Sequence, residues 1–217
     1  MEAVTAAPRP QSPAEEVANS LSHGVALLLA LAALPLLVAD AAGGGGAAEI
    51  VGASVFGGTM VLLYLVSMLY HALPAGAAKR VFVILDHSAI FLLIAGTYTP
   101  FTLGVLRGPW GWSLFGVVWG LALLGIVFKC IFGPRCQALS TGLYLVMGWL
   151  VLVAAKTVWA EIPLAGLAWL LAGGVAYTLG VVFFVMDERV RFAHFIWHLF
   201  VIAGTACHFT AVMRYAV

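Results

Sequence analysis

The chain has 217 residues, of which 64% are hydrophobic and only 9% charged, with a mean hydropathy of +1.09. Roughly a quarter of the residues of a soluble domain are charged, so a water-soluble globular fold is excluded. The net charge of +1 says nothing about nucleic acid, and the sequence has no basic cluster to bind it, so no nucleic-acid partner is expected.

The segment 1–16, "MEAVTAAPRPQSPAEE", reads as a disordered tail, and 17–217 as one membrane domain. The tail lacks the basic region and short apolar core of a cleaved signal peptide, so the first apolar run is expected to be a span. A span needs about 20 mostly apolar residues. Seven such runs follow in order, near 18–39, 50–71, 82–104, 110–131, 139–157, 164–186 and 193–216. The predicted fold class is all-α, a polytopic seven-helix bundle, because helices satisfy their own backbone groups in lipid.

The loops give orientation. Arg9, Lys79, Arg80, Lys129, Arg135, Arg189 and Arg191 fall on the N-terminal side, and Arg107, Lys156 and Arg214 on the other. Positive residues favour the cytoplasm, so the N-terminus is expected inside and the C-terminus outside. "DAAGGGG" at 40–46 then reads as a flexible outer turn. Gly116, Gly120, Gly173, Gly174 and Gly180 are expected at close helix contacts. Trp110, Trp112 and Trp159 are expected at span ends, as interface anchors. Cys130, Cys136 and Cys207 are too few and scattered for a disulfide framework or a thiolate metal site.

Polar residues inside spans are expensive and mark function, an ionisable group at mid-membrane costing on the order of 3 kcal/mol. Here they collect at one end. Glu16, Asn19 and His23 open the first span, Ser67 and His71 close the second, Asp86 and His87 open the third, and His194 and His198 open the seventh. His194 and His198 are separated by four residues, so they share a helical face about 40° apart and about 6 Å along the axis. Ser67 and His71 have the same spacing. Asp86 returns a carboxylate to that level.

Three neutral imidazoles with a free position are a recurring catalytic zinc arrangement, in which a bound water reaches a pKa near 7. The sequence from His194 reads "HFIW", with no acid before His198, so the general base must come from another helix. Asp86 is the candidate. Ser67 is expected to orient a ligand or touch a substrate oxygen. His208, about 15 Å farther along the same helix, is expected to lie outside the site. The facing of His23 and His87 is not fixed by sequence.

Four stretches carry a family resemblance: "EEVANSLSHG" at 15–24, "SMLYHAL" at 67–73, "LDHSAIFLLIAGTYTP" at 85–100 and "HFIWHLFVIAGTACHF" at 194–209. Together they resemble the hemolysin III proteins of bacteria, within the progestin and adipoQ receptor superfamily. The resemblance implies seven spans with a cytoplasmic N-terminus, and a multi-pass protein of the plasma (inner) membrane. By likeness to the adiponectin receptors it implies Zn2+ on His71, His194 and His198, with Asp86 and Ser67 beside it. Glu16, Asn19 and His23, polar residues at the same depth, are expected as accessory residues. Those receptors and the alkaline ceramidases imply hydrolysis of a lipid amide or ester, with membrane lipid as substrate. Two other readings stay open: a pore-forming cytolysin, as the family name implies, and a sensor of membrane state with structural zinc.

Overall fold

The structure is a computed structural model that describes residues 9–216. Residues 1–8 of the expected tail lie outside the described residues, whereas 13–16 already belong to the first helix. Ser12 caps that helix by accepting the Glu15 amide, the Glu15 carboxylate returns to the Ser12 amide, and Pro13 occupies the first turn.

Among the described residues every regular element is helical. The helices are α1 (Pro13–Gly44), α2 (Ala47–Ala72), α3 (Ala77–Leu103), α4 (Pro109–Phe132), α5 (Gln137–Gly148), α6 (Ala155–Glu161), α7 (Leu164–Met186) and α8 (Ala193–Tyr215). Six helical stretches are long and apolar enough to cross a membrane: α1, α2, α3, α7, α8 and the composite run Pro109–Glu161. The composite run has 53 residues, about 80 Å if straight. It folds back on itself through a 3-10 turn at Gly133–Cys136, which sets α5 against α4.

The fifth run, expected as one helix over 139–157, is broken. α5 ends at Gly148, Leu150–Ala154 is 3-10, and α6 resumes at Ala155. The Tyr98 hydroxyl from α3 serves the interrupted backbone. It donates toward the Met147 and Gly148 carbonyls at 2.9 and 3.0 Å and accepts the Val151 amide at 2.9 Å. Freed backbone groups at membrane depth need such partners, and a single tyrosine supplies them.

α1 packs between α2 and α8, α3 between α2 and α4, and α7 against α8. The α1–α8 contact sets the first and last described helices side by side. Large apolar side chains such as Leu28, Leu124, Val153 and Leu171 point outward, as the lipid-facing surface of a multi-pass membrane protein requires.

Glycines set the closest approaches, though not all those expected. A Cβ at Gly52 of α2 would lie 2.6 Å from the Pro100 Cα of α3, and one at Gly173 would lie 2.4 Å from the His208 ring. Gly116 and Gly120 have nothing within 4 Å of that position. They lie on an open stretch of α4 and seam no helices together, which corrects the sequence expectation.

Because the obstacle at Gly52 is backbone, Gly52→Ala should force α2 and α3 apart. Overpacking of this kind costs about 1–3 kcal/mol. A lower thermal unfolding temperature in detergent is expected, and an unchanged one would contradict the close contact.

Candidate metal centre

The site lies at the end of the bundle where α1, α2, α3 and α8 meet. His71 comes from the last turn of α2, while His194 and His198 come from the first two turns of α8. All three are buried. Their ring centroids form a near-equilateral triangle: His71 to His194 5.0 Å, His71 to His198 5.1 Å, His194 to His198 4.8 Å. One ligand nitrogen from each lies within 4.8 Å of the others.

The outer nitrogens explain the inward orientation. His71 Nδ1 lies 2.7 Å from Glu16 Oε2, and His194 Nδ1 lies 2.8 Å from Asp187 Oδ2. His198 Nδ1 faces the Asn19 carbonyl at 3.3 Å, with Ser22 Oγ at 3.1 Å. Carboxylate and carbonyl oxygens only accept, so each Nδ1 carries the proton and each Nε2 presents a lone pair. His71 Nε2 is buried and has no hydrogen-bond partner. Three imidazoles with Nδ1 held by oxygen acceptors and Nε2 converging fit a metal ion.

The holders are themselves fixed. Glu16 Oε1 accepts Lys79 Nζ at 2.8 Å. Glu15 accepts both terminal nitrogens of Arg9 at 2.7 Å and the Phe192 amide at 2.8 Å. Phe192 precedes α8 in a left-handed conformation, φ 58°, unusual for a bulky residue. The start of α8, and with it His194, is thus tied to the start of α1. The Arg9 guanidinium is stabilised in its charged form by that carboxylate.

The remaining candidates fall around the triangle. His23 stacks on His198, centroids 3.5 Å apart and planes within 6°, with neither ring nitrogen partnered. Asn19 donates its side-chain amide to Gln11 Oε1, with His71 Nδ1 in contact at 3.4 Å, and its backbone carbonyl accepts from His198. Asp86 and Ser67 line a cavity of about 20 Å3 with His23, His87, His194 and His198, room for a single water or ion. Ser67 Oγ shares that cavity with the Asp86 carboxylate and, among the described residues, meets no partner at hydrogen-bonding geometry. Asp86 is outside the converging ligand set and beside it. His208 sits apart, its Nε2 3.2 Å from the Leu170 carbonyl.

Asp187, Ser22 and Glu15 were not singled out by the sequence. Asp187 stands seven residues before His194, across the short α7–α8 loop, and that proximity was its only sequence signal.

Three spaces meet at the buried ring of Phe184. It lines the small metal-side cavity, a polar vestibule of about 490 Å3, and an apolar cavity of about 100 Å3. The apolar cavity shares Tyr98, Trp149, Gly174 and His208 with a further one of about 290 Å3. The triangle therefore has a polar approach on one side and an apolar approach on the other.

Loss of an outer partner typically costs about 10–100-fold in metal affinity. Asp187→Asn and Glu16→Gln should each weaken binding by that factor in competition with a chromophoric chelator. Affinity equal to wild type in both would contradict the orienting role.

The family described as "Haemolysin-III related" matches residues 11–209. Hemolysin-3 of Bacillus cereus is 46% identical over 203 residues, covering 94% of this chain and 92% of the relative. The Hemolysin-3 homolog of Bacillus subtilis (strain 168) is 47% identical over 203 residues, covering 94% and 95%. More distantly, the monocyte to macrophage differentiation factor of Homo sapiens is 30% identical over 172 residues, covering 77% and 71%. With the match spanning the three histidines and the residues that hold them, the chain belongs to the haemolysin-III-related family.

Proposed function

We propose that this protein is a zinc-dependent hydrolase of a lipid amide or ester, embedded in the plasma membrane. The observation that carries the reading is the buried three-histidine cluster, two of whose rings, His194 and His198, line a one-water cavity with Asp86 and Ser67, between a polar and an apolar approach. Zinc suits an all-imidazole set better than a cuprous ion, which favours thiolate and thioether ligands. When bound, it supplies Lewis acidity that polarises a carbonyl and lowers the pKa of water.

The chain's own residues supply the rest. Asp86 accepts the proton of the attacking water and returns it to the leaving nitrogen or oxygen. Ser67 donates its otherwise unpartnered hydroxyl to the carbonyl oxygen as charge develops there. The apolar cavities beyond Phe184 hold the acyl chain, and the vestibule admits water. The proposed topology has seven crossings, with the broken 137–161 segment as the fifth, the N-terminus in the cytoplasm and the C-terminus outside. The lysine and arginine asymmetry of the loops supports that orientation.

The names of the two Bacillus relatives favour a second reading, membrane lysis through a pore. The experiments separate the two. Purified protein should release fatty acid from ceramide-like or ester lipids. Asp86→Asn should reduce that release by about 100-fold or more, in line with loss of general base catalysis, while retaining the metal. Metal retention without turnover of any lipid in a broad panel would overturn the hydrolase. Ion flux in liposomes that survives His198→Ala would support the pore.

A further inference from the structure

The polar vestibule contains cationic groups that the hydrolase reading does not use. It runs along one face of α3, lined by Gly76, Lys79, Arg80, Val83 and His87 at helical spacing, and is completed by Gln137 and residues of α7 and α8. Two of its cations are already occupied: Arg9 pairs with Glu15 and Lys79 with Glu16. Arg80 has no carboxylate partner among the described residues. His87 is only 7% exposed, and its ring makes no hydrogen bond among the described residues. Only its carbonyl is engaged, by the Tyr144 hydroxyl at 2.8 Å.

Behind His87 lies a second unusual group. Lys129 of α4 is 1% exposed, and among the described residues its ammonium has neither a hydrogen-bond partner nor a carboxylate. A Cβ at Gly125 would lie 2.4 Å from the Phe91 ring where α3 and α4 pack together, so Lys129, one turn beyond Gly125, is level with His87, one turn before Phe91. An ammonium out of water without a counter-charge is costly, and its field falls on the inner end of the vestibule. Two acids also line the vestibule: Asp187, whose carboxylate accepts from His194 on the metal side, and Glu188, exposed at the rim. At the mouth, α3 starts without a side-chain cap or an acid in its first turn, adding the positive end of a long helix to the same space.

From this arrangement we infer that the vestibule binds a phosphate group, held between Arg80 and His87 with the charge of Lys129 behind it. Arg80 and His87 are seven residues apart on one face of α3, about 10 Å along the axis. Both side chains line the same vestibule of about 490 Å3, which has room for a phosphate. Arginine matches phosphate oxygens in bidentate fashion, and His87 and Gln137 supply further donors. The phosphate is either inorganic or part of a lipid headgroup. The assignment goes beyond the hydrolase reading and does not depend on it.

The test is thermal unfolding of the full chain in uncharged detergent, with inorganic phosphate against chloride at matched ionic strength. A parallel arm uses micelles containing phosphatidic acid against diacylglycerol. Each is repeated after metal removal and with Asp86→Asn, so the result stands whichever way the hydrolase experiment falls. Phosphate at about 100 times its Kd should raise the unfolding temperature by roughly 5 °C or more. Arg80→Gln, a change at an exposed residue, should abolish the rise. Lys129→Met should also abolish it, yet be more stable than wild type without phosphate because it removes the uncompensated charge. A rise with phosphatidic acid alone identifies the lipid headgroup as the source. No rise over chloride and diacylglycerol, or an undiminished rise in both variants, would overturn the site.

Discussion

Three imidazoles buried at one end of an apolar bundle present six ring nitrogens, each of which must find a partner where water is scarce. Half find acceptors in the protein: Glu16, Asp187 and the Asn19 carbonyl. That choice fixes the tautomers and turns the other nitrogens toward a common point. The rest of the structure serves this constraint. α1 is the organising element, because its first three turns supply Glu16, Asn19 and Ser22, while Glu15 anchors the left-handed residue before α8. The first and last helices are therefore locked together by the hydrogen bonds that orient the ligands, and metal binding and closure of the bundle depend on the same side chains.

The bundle then separates two environments around one point. Phe184, packed against His87, His194 and Trp197, stands between a polar vestibule and an apolar cavity. For the proposed hydrolysis a lipid carbonyl and a water need opposite surroundings, and an aromatic partition beside a cavity that fits one water would let both approach without flooding the apolar side. The break between α5 and α6 contributes to that geometry, since Tyr98, Gly148 and Trp149 at the break also line the apolar cavities.

The helical class, the apolar runs and the convergence of His71, His194 and His198 were legible because they depend on local properties: hydropathy, i,i+4 spacing and depth. Asp86 and Ser67 were legible for the same reason, and lie beside the triangle. Glu16, Asn19 and His23 were visible as polar residues at the right depth, but their targets were not. Long-range pairings decided the rest. Nothing within 137–161 announces the break that Tyr98 stabilises from another helix. Nothing near Asp187 distinguishes it from an ordinary loop acid until the fold sets it against His194. Gly116 and Gly120 show the converse, a small-residue pattern that the fold leaves on an open face.

The central claim is that His71, His194 and His198 bind one metal ion through Nε2. The most direct measurement is X-ray absorption spectroscopy with elemental analysis on the protein purified at neutral pH without added metal. One zinc per chain, with three imidazole nitrogens in its first coordination shell, is the predicted result. No stoichiometric metal, or an ion without histidine ligands, would contradict the account.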